Sequence, residues 1–429
     1  VSKYRRVAAA AVAAALLAVS ACSSSSGSEG GKADSITIWH NAADPQAITN
    51  LYQNFTKATG IKVNLVPFAA DGFETAVQTK WATGDRPDIL EYHPTTSAAA
   101  QLNAKQNMQD LSKLSFVGKS GDLYKMAGSY NGTVYAAITG LPSIFGVFYN
   151  KAAFKKAGVA VPQNFDQLLT ACGSLKAAGV TPWYESGQSL WPTQILPANF
   201  IADQNVGAAY SDKLRTNKQA ITDPSGPLMQ ALKAYEKVRD ACFQKNYATG
   251  TFEKGIAQVY GGQAAMIGLH SDTYNLWQDA AGGDETKLAA AVGFTGISAT
   301  SPKTWFGPGP LGSYYAPKTG DNGREAAAIK FIDYATGAGY QQLLDDNKAF
   351  PVIDGFKTPT GISPLKQQFK DAYDHGSTIG FATDVIGFGD VFPTQMGKLL
   401  NKQATPEDVA KTVEANVKRA SKAAGVDGW

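Results

Sequence analysis

Histidine and cysteine are scarce in this chain: four and three residues respectively among 429. The histidines, His40, His93, His270 and His375, are scattered, and no H-E-x-x-H or C-x-x-C spacing occurs, so the sequence signals no metal site. A G-x-S-x-G nucleophile elbow is absent too. Charge of one sign is also lacking. Lys and Arg number 39 against 36 Asp and Glu, and setting aside Lys3, Arg5 and Arg6 leaves the two signs equal. Nothing in that balance attracts a phosphate backbone, so nucleic acid is excluded as a partner. Long apolar runs are missing as well. The longest, Val7 to Val19, is about 13 residues, short of the roughly 20 a membrane-spanning helix needs.

A basic start, a short apolar middle and small residues before a cut describe a secretory signal, here residues 1–21. Val19-Ser20-Ala21-Cys22 resembles the lipobox of bacterial lipoproteins. That resemblance implies cleavage before Cys22 and lipidation of its thiol. Residues 22–34 are rich in Ser and Gly and lack apolar periodicity, as expected of a flexible tether. Arg5-Arg6 leaves twin-arginine export open beside the general secretory route. After cleavage about 408 residues remain, enough for two or three domains with full cores. Cys172 and Cys242 then fall on apolar faces of predicted helices. Outside the cytoplasm they can form a disulfide, or they can pack as two buried thiols.

Strand and helix signals alternate along the chain. Ser35 to Trp39 is rich in β-branched residues and reads as a strand. Asp44 as N-cap and Pro45 as first helical residue open a helix with Ile48, Leu51, Tyr52 and Phe55 on one face, ended by Gly60. Ile61–Phe68 and Asp88–Tyr92 read as strands around a second helix. Asn131-Gly132 between strand formers signals a hairpin. Helices are expected over 164–178, 324–336 and 339–344, and 282–304 has strand and loop character. Thr405, Pro406, Glu407 and Asp408 open a last helix carrying Val409, Val413 and Val417. Such alternation predicts an α/β fold with mostly parallel sheets. Gly307-Pro-Gly-Pro-Leu-Gly312 matches G-x-G-x-x-G letter for letter, but its prolines remove N–H donors that a phosphate would need. It reads as a rigid crossing instead.

The stretches "ITIWHNAADPQAITNLYQNFTKATGIKVNLVPF", "GDRPDIL", "YNGTVYAAITGLPSIFGVFYNK", "VPQNFDQLL", "GQAAMIG" and "TPEDVAKTVEANVKRA" resemble, in order and spacing, the family 1 extracellular solute-binding proteins. These are the sugar-binding lipoproteins of bacterial ABC importers, of the maltose-binding-protein kind. The resemblance implies a two-lobed periplasmic-binding-protein-like fold of type II, each lobe a mostly parallel sheet flanked by helices. The expected lobes are 35–141 with 311–346, and 142–310 with 347–429. The crossings are expected near Leu141-Pro142, near Gly307–Gly312, and between Gly337 and Pro351. The family also implies a carbohydrate ligand, ABC permease subunits as partners, no cofactor, a monomer without enzymatic activity, and anchorage at the outer face of the cytoplasmic membrane through Cys22.

A pyranose offers C–H faces that stack on aromatic rings and a rim of hydroxyls that hydrogen-bond to fixed polar groups. Loops after strands are where an open α/β sheet presents both. The candidates on that basis are Trp39, His40 and Asn41; Glu91 and Tyr92, with His93 beside them; Trp183, Glu185 and Trp191; His270 and Asp272; Trp305 and Tyr314; and Asp390, near Phe388. Relatives often carry Trp where this chain has Leu269-His270-Ser271-Asp272, a departure that suggests a polar contact there. Trp81 and Trp277 lie on helical faces and read as core. A secreted glycoside hydrolase, using two carboxylates such as Glu91 and Asp390, and a receptor for a non-sugar solute are the alternative functions.

Overall fold

The computed structural model describes residues 33–69, 72–426 and 428–429. The expected signal peptide, Cys22 and the tether through Lys32 lie outside the described residues. In chain order the strands are β1 (Ser35–Asn41), β2 (Lys62–Phe68), β3 (Ile89–Glu91), β4 (Ser129–Tyr130), β5 (Thr133–Val134), β6 (Ala136–Ile138), β7 (Ser143–Asn150), β8 (Thr181–Trp183), β9 (Ala264–His270), β10 (Val292–Thr295), β11 (Trp305–Gly307), β12 (Ser313–Tyr315) and β13 (Thr378–Ile379). One sheet has the order β2-β1-β3-β12-β6; the other has the order β13-β11-β7-β9-β8, with β10 also on β7. These sheets are the hearts of two lobes.

The lobes are less parallel than expected. β1 pairs in parallel with β2 and β3, but β12 runs against β3 and β6, and β7 runs against β9, β10 and β11. The physical reason is the route of the chain. β7 and β12 are the strands by which it arrives from the other lobe, so each enters at the end where its neighbours leave.

Local signals place the elements. The helix Gln46–Thr59 buries Ala47, Ile48, Leu51, Tyr52 and Phe55 and stops at Gly60, whose φ of 75° suits glycine. Its start departs from expectation. Pro45 takes the cap position with no side-chain cap bond, because the Asp44 carboxylate is drawn to His40 instead. Asn131 and Gly132, both at positive φ, turn β4 into β5, as a two-residue hairpin requires. Thr405 and Asp408 form a reciprocal capping box at the helix Pro406–Ala423, which buries Val409, Val413 and Val417. Within 282–304 a short helix, Glu285–Ala291, precedes β10; Asp284 caps it, a signal the strand and loop reading passed over.

Each sheet is covered on both faces. In the first lobe Ile36, Ile38, Tyr52, Phe55, Tyr314 and Phe331 pack on one side, and Trp39, Trp81, Leu90, Tyr92 and Tyr315 on the other. In the second, Ile144, Phe148, Trp277 and Phe369 form one layer. Trp183, Tyr235, Phe388 and Val413 join the other layer. There Cys172 and Cys242 form a disulfide, with Cα atoms 5.4 Å apart and a sequence separation of 70.

The backbone passes between the sheets at 139–142 and again at 308–312. The two passages are tied together: the Thr139 N–H and Oγ1 both donate to the Gly312 carbonyl, at 3.0 and 2.7 Å. Gly312 has φ 70°, and a Cβ there would meet Thr139 Oγ1 at 2.6 Å. The next passage lies later than expected. Ile353 is buried in the first-lobe core, and the Lys357 N–H still donates to Gln341 at 2.9 Å. Leu365 is already in the second lobe. Apolar Val352, Ile353 and Phe356, packing back onto the first lobe, hold the chain there beyond 346. No helix among the described residues is long and apolar enough to cross a membrane.

Candidate functional site

At the first lobe's edge the polar residues are consumed by the fold. Glu91, fully buried at the end of β3, accepts the Asn41 N–H at 3.1 Å and the Gly312 N–H at 2.8 Å. It therefore ties β1, β3 and the second passage together. Burial, with the nearby Asp44 charge, holds its carboxyl well above the usual carboxylate range. His40 Nδ1 lies 2.8 Å from Asp44 Oδ2, and the Asn41 side chain accepts the Ala43 N–H at 2.8 Å. His93 reaches Glu74 at 2.8 Å and the Pro308 carbonyl at 3.4 Å.

The second lobe presents aromatic rings. Phe145 on β7 lies in register with His270 on β9 and with Trp305 on β11. Its ring stacks on Trp305 at 3.7 Å and sits 5.0 Å from His270. Trp191 extends the row, 4.8 Å from His270. Phe145, Trp191 and His270 are half-buried. Trp305 is covered, since even a Cβ on Gly380 would lie 2.2 Å from its indole. Beside the row, Ser143 Oγ donates to Asp272, and Asp272 Oδ2 lies 3.8 Å from His270 Nδ1. Burial holds the His270 imidazole below its usual range, against the opposing pull of Asp272. His270 Nδ1 and Trp305 Nε1 have no hydrogen-bond partner.

Asp272 also lines a cavity of about 420 Å³ between the lobes, within the roughly 300–1,000 Å³ typical of small-molecule sites. Ala43 and Pro45 form part of its first-lobe wall, Ser271, Asp272 and Tyr274 part of the second, and both passages cross it. Lys366 and Asn275 add polar groups to otherwise largely apolar walls. Away from this cavity the lobes touch directly: Thr96 donates to Asp384 at 3.4 Å and Gln101 to Asp390 at 3.3 Å.

The structure therefore gathers His270, Asp272, Trp191 and Trp305 into one place, and adds Phe145 and Ser143, which sequence reasoning missed. Their signal was the alternation Ser143, Phe145, Val147 on one face of a strand leaving a crossing. It does not gather the rest. Trp39, Tyr92 and Tyr314 are buried inside the first lobe, where Trp39 packs on Phe68 and Tyr314 on Phe331. Trp183 and Glu185 are buried inside the second. Glu185 accepts the Ser186 N–H at 2.8 Å and the Tyr235 hydroxyl at 3.3 Å, and burial pushes its carboxyl up to about 7. Asp390 is exposed, shared between Gln101 and Asn416. Phe388 is buried.

Residues 39–342 match the family model described as bacterial extracellular solute-binding protein. The chain is 24% identical over 237 residues to an uncharacterized ABC transporter extracellular-binding protein of Pyrococcus horikoshii, covering 53% of each. It is 24% identical over 131 residues to a multiple sugar-binding protein of Streptococcus mutans, covering 30% of each. The match thus spans about half the length of the first relative and about a third of the second. Among solved structures, a chitin oligosaccharide binding protein superposes with a TM-score of 0.75 at 19% identity, over 91% of this chain and 100% of that one. This likeness concerns the fold: two lobes, mixed α/β, with no barrel.

Proposed function

Because the chain belongs to the bacterial extracellular solute-binding proteins, we propose that it is the solute receptor of an ABC importer and that its solute is a carbohydrate. The observation that carries this reading is the row Trp191, His270, Phe145 and Trp305 beside the Ser143–Asp272 pair. The half-buried rings of Trp191 and Phe145, the latter backed by the buried Trp305, suit the C–H faces of a pyranose, and fixed carboxylate and hydroxyl groups suit its rim. The relative named a multiple sugar-binding protein points the same way.

In this reading the passages 139–142 and 308–312 act as a hinge. Solute bound to the second lobe draws the first lobe over it, and the closed form, favoured only by its extra contacts with the solute, is what the permease recognises. No covalent step is needed. Glu91, as one of a hydrolytic pair, would have to leave two backbone N–H bonds and a fully buried position, which argues against a glycosidase. We assign the protein to the outer face of the membrane, held as a monomer through a lipidated Cys22. A panel of mono-, di- and oligosaccharides, read by tryptophan fluorescence and thermal shift with a parallel assay for hydrolysis, tests the reading. Saturable binding without turnover supports it, whereas turnover or no response to any sugar overturns it.

A further inference from the structure

His40, Asp44 and Glu91 come from the end of β1, the turn before the helix Gln46–Thr59, and the end of β3. One donor atom from each lies within 4.8 Å of the others. The surroundings are short of positive charge: among the described residues, no Lys or Arg pairs with Asp44 or Glu91, and His40 is the one ion-pair partner of Asp44. Two carboxyl groups held this close, one of them fully buried, need a proton or a cation between them. Asp44 makes the deficit explicit. Its side chain is 3% exposed; Oδ2 faces His40, and Oδ1 is buried with no hydrogen-bond partner.

We infer that these three side chains form a divalent-cation site of the zinc class, in which one imidazole nitrogen and two carboxylate oxygens hold the ion. A shared proton can bridge only two of the three groups; a cation takes an atom from each. One nitrogen and two oxygens are ligands that Zn²⁺ accepts, whereas Ca²⁺ and Mg²⁺ want more oxygens. Glu91 stays competent while accepting its two N–H bonds, because each carboxylate oxygen retains a second lone pair. Those bonds also orient it, as supporting contacts commonly do for a ligand. Three protein ligands leave a fourth position for water. Ala43, Pro45 and Gly312, next to the cluster in sequence or bonded to it, line the inter-lobe cavity, which puts the cluster just behind the cavity wall. Bound there, the ion would brace the root of the first lobe against Gly312 and hence against the second passage.

The test uses tag-free protein stripped with chelator and then offered Zn²⁺, Ca²⁺ or Mg²⁺ separately, with metal content measured after gel filtration and melting measured alongside. One zinc per chain is expected, with a melting temperature that rises with free zinc and does not respond to calcium or magnesium. Asp44→Asn keeps the shape and one acceptor, and His40→Ala removes the nitrogen; each should weaken zinc binding by at least about tenfold. Circular dichroism of the stripped variants checks that they fold, and if either fails to, the other carries the comparison. No retained zinc, equal retention by wild type and folded variants, or a preference for calcium overturns the assignment.

Discussion

At the first lobe's edge Trp39, Tyr92 and Tyr314 turn into the core and Glu91 spends both oxygens on backbone N–H groups. On the second lobe Trp191, Phe145 and His270 stay half-exposed beside Asp272. The residue types are the same; the neighbours differ. β3 lies between β1 and β12 in the middle of its sheet, so the side chains at its end have structure on every side. Phe145 lies on an equally central strand, β7, but three residues past the passage 139–142 it is only half-buried. On the proposed reading, a ring is free to meet solute only where that packing stops.

That contrast can be broken most strongly with two tryptophans eight residues apart. Trp183 is fully buried among second-lobe core residues, so Trp183→Ala should cost roughly 3–5 kcal/mol of stability in chemical denaturation, with any folded fraction binding solute normally. Trp191→Ala should do the reverse: solute affinity falls about 10- to 100-fold, equivalent to about 1.4–2.8 kcal/mol, while the denaturation midpoint scarcely moves. Equal effects of the two on binding would erase the distinction between core ring and ligand shelf.

Glu185 sharpens the same point with a carboxylate. Its folded pKa is raised to about 7 from 4.5 by burial. The folded state therefore holds a proton that the unfolded state has already released, and stability falls as pH climbs from about 4.5 to about 7. The loss is on the order of 3 kcal/mol, complete above that window and absent below it. Glu185→Gln should remove most of this slope in denaturation curves taken at pH 5 and pH 8; an unchanged slope would mean that Glu185 is not the group responsible. Smallest of all, Asp390→Ala should alter stability by no more than about 0.5 kcal/mol, because this exposed carboxylate accepts only single bonds from Gln101 and Asn416 at 3.3 and 3.5 Å. A larger change would show that the Gln101 link between lobes carries more of the closed arrangement than its geometry implies.

Local features were legible in the sequence. The apolar face of the first helix and its glycine stop, the Asn131-Gly132 turn and the Thr405–Asp408 capping box each depend on residues a few positions apart. Sites assembled over long separations were not. Glu91 meets Gly312 from 221 residues away, and no local pattern announces that each of its oxygens accepts a backbone N–H. Asp44 was the local exception: it reads as a helix cap, yet its carboxylate turns to His40, four residues before it, at 2.8 Å. The row on the second lobe joins β7, β9, β11 and the Trp191 turn; its outer members were visible as aromatic loop residues, but Phe145 looked like any strand phenylalanine. The two cysteines were readable as buried and not as bonded, because pairing depends on how two helices pack.

A crystal structure of the protein with the sugar that binds best in the panel decides whether the second-lobe row is the solute shelf. Density is expected for one sugar ring within van der Waals reach of Trp191 or Phe145, with a hydroxyl on Asp272 and atoms of both lobes around it. Density elsewhere, or a sugar touching one lobe alone with the aromatic row left bare, would contradict it.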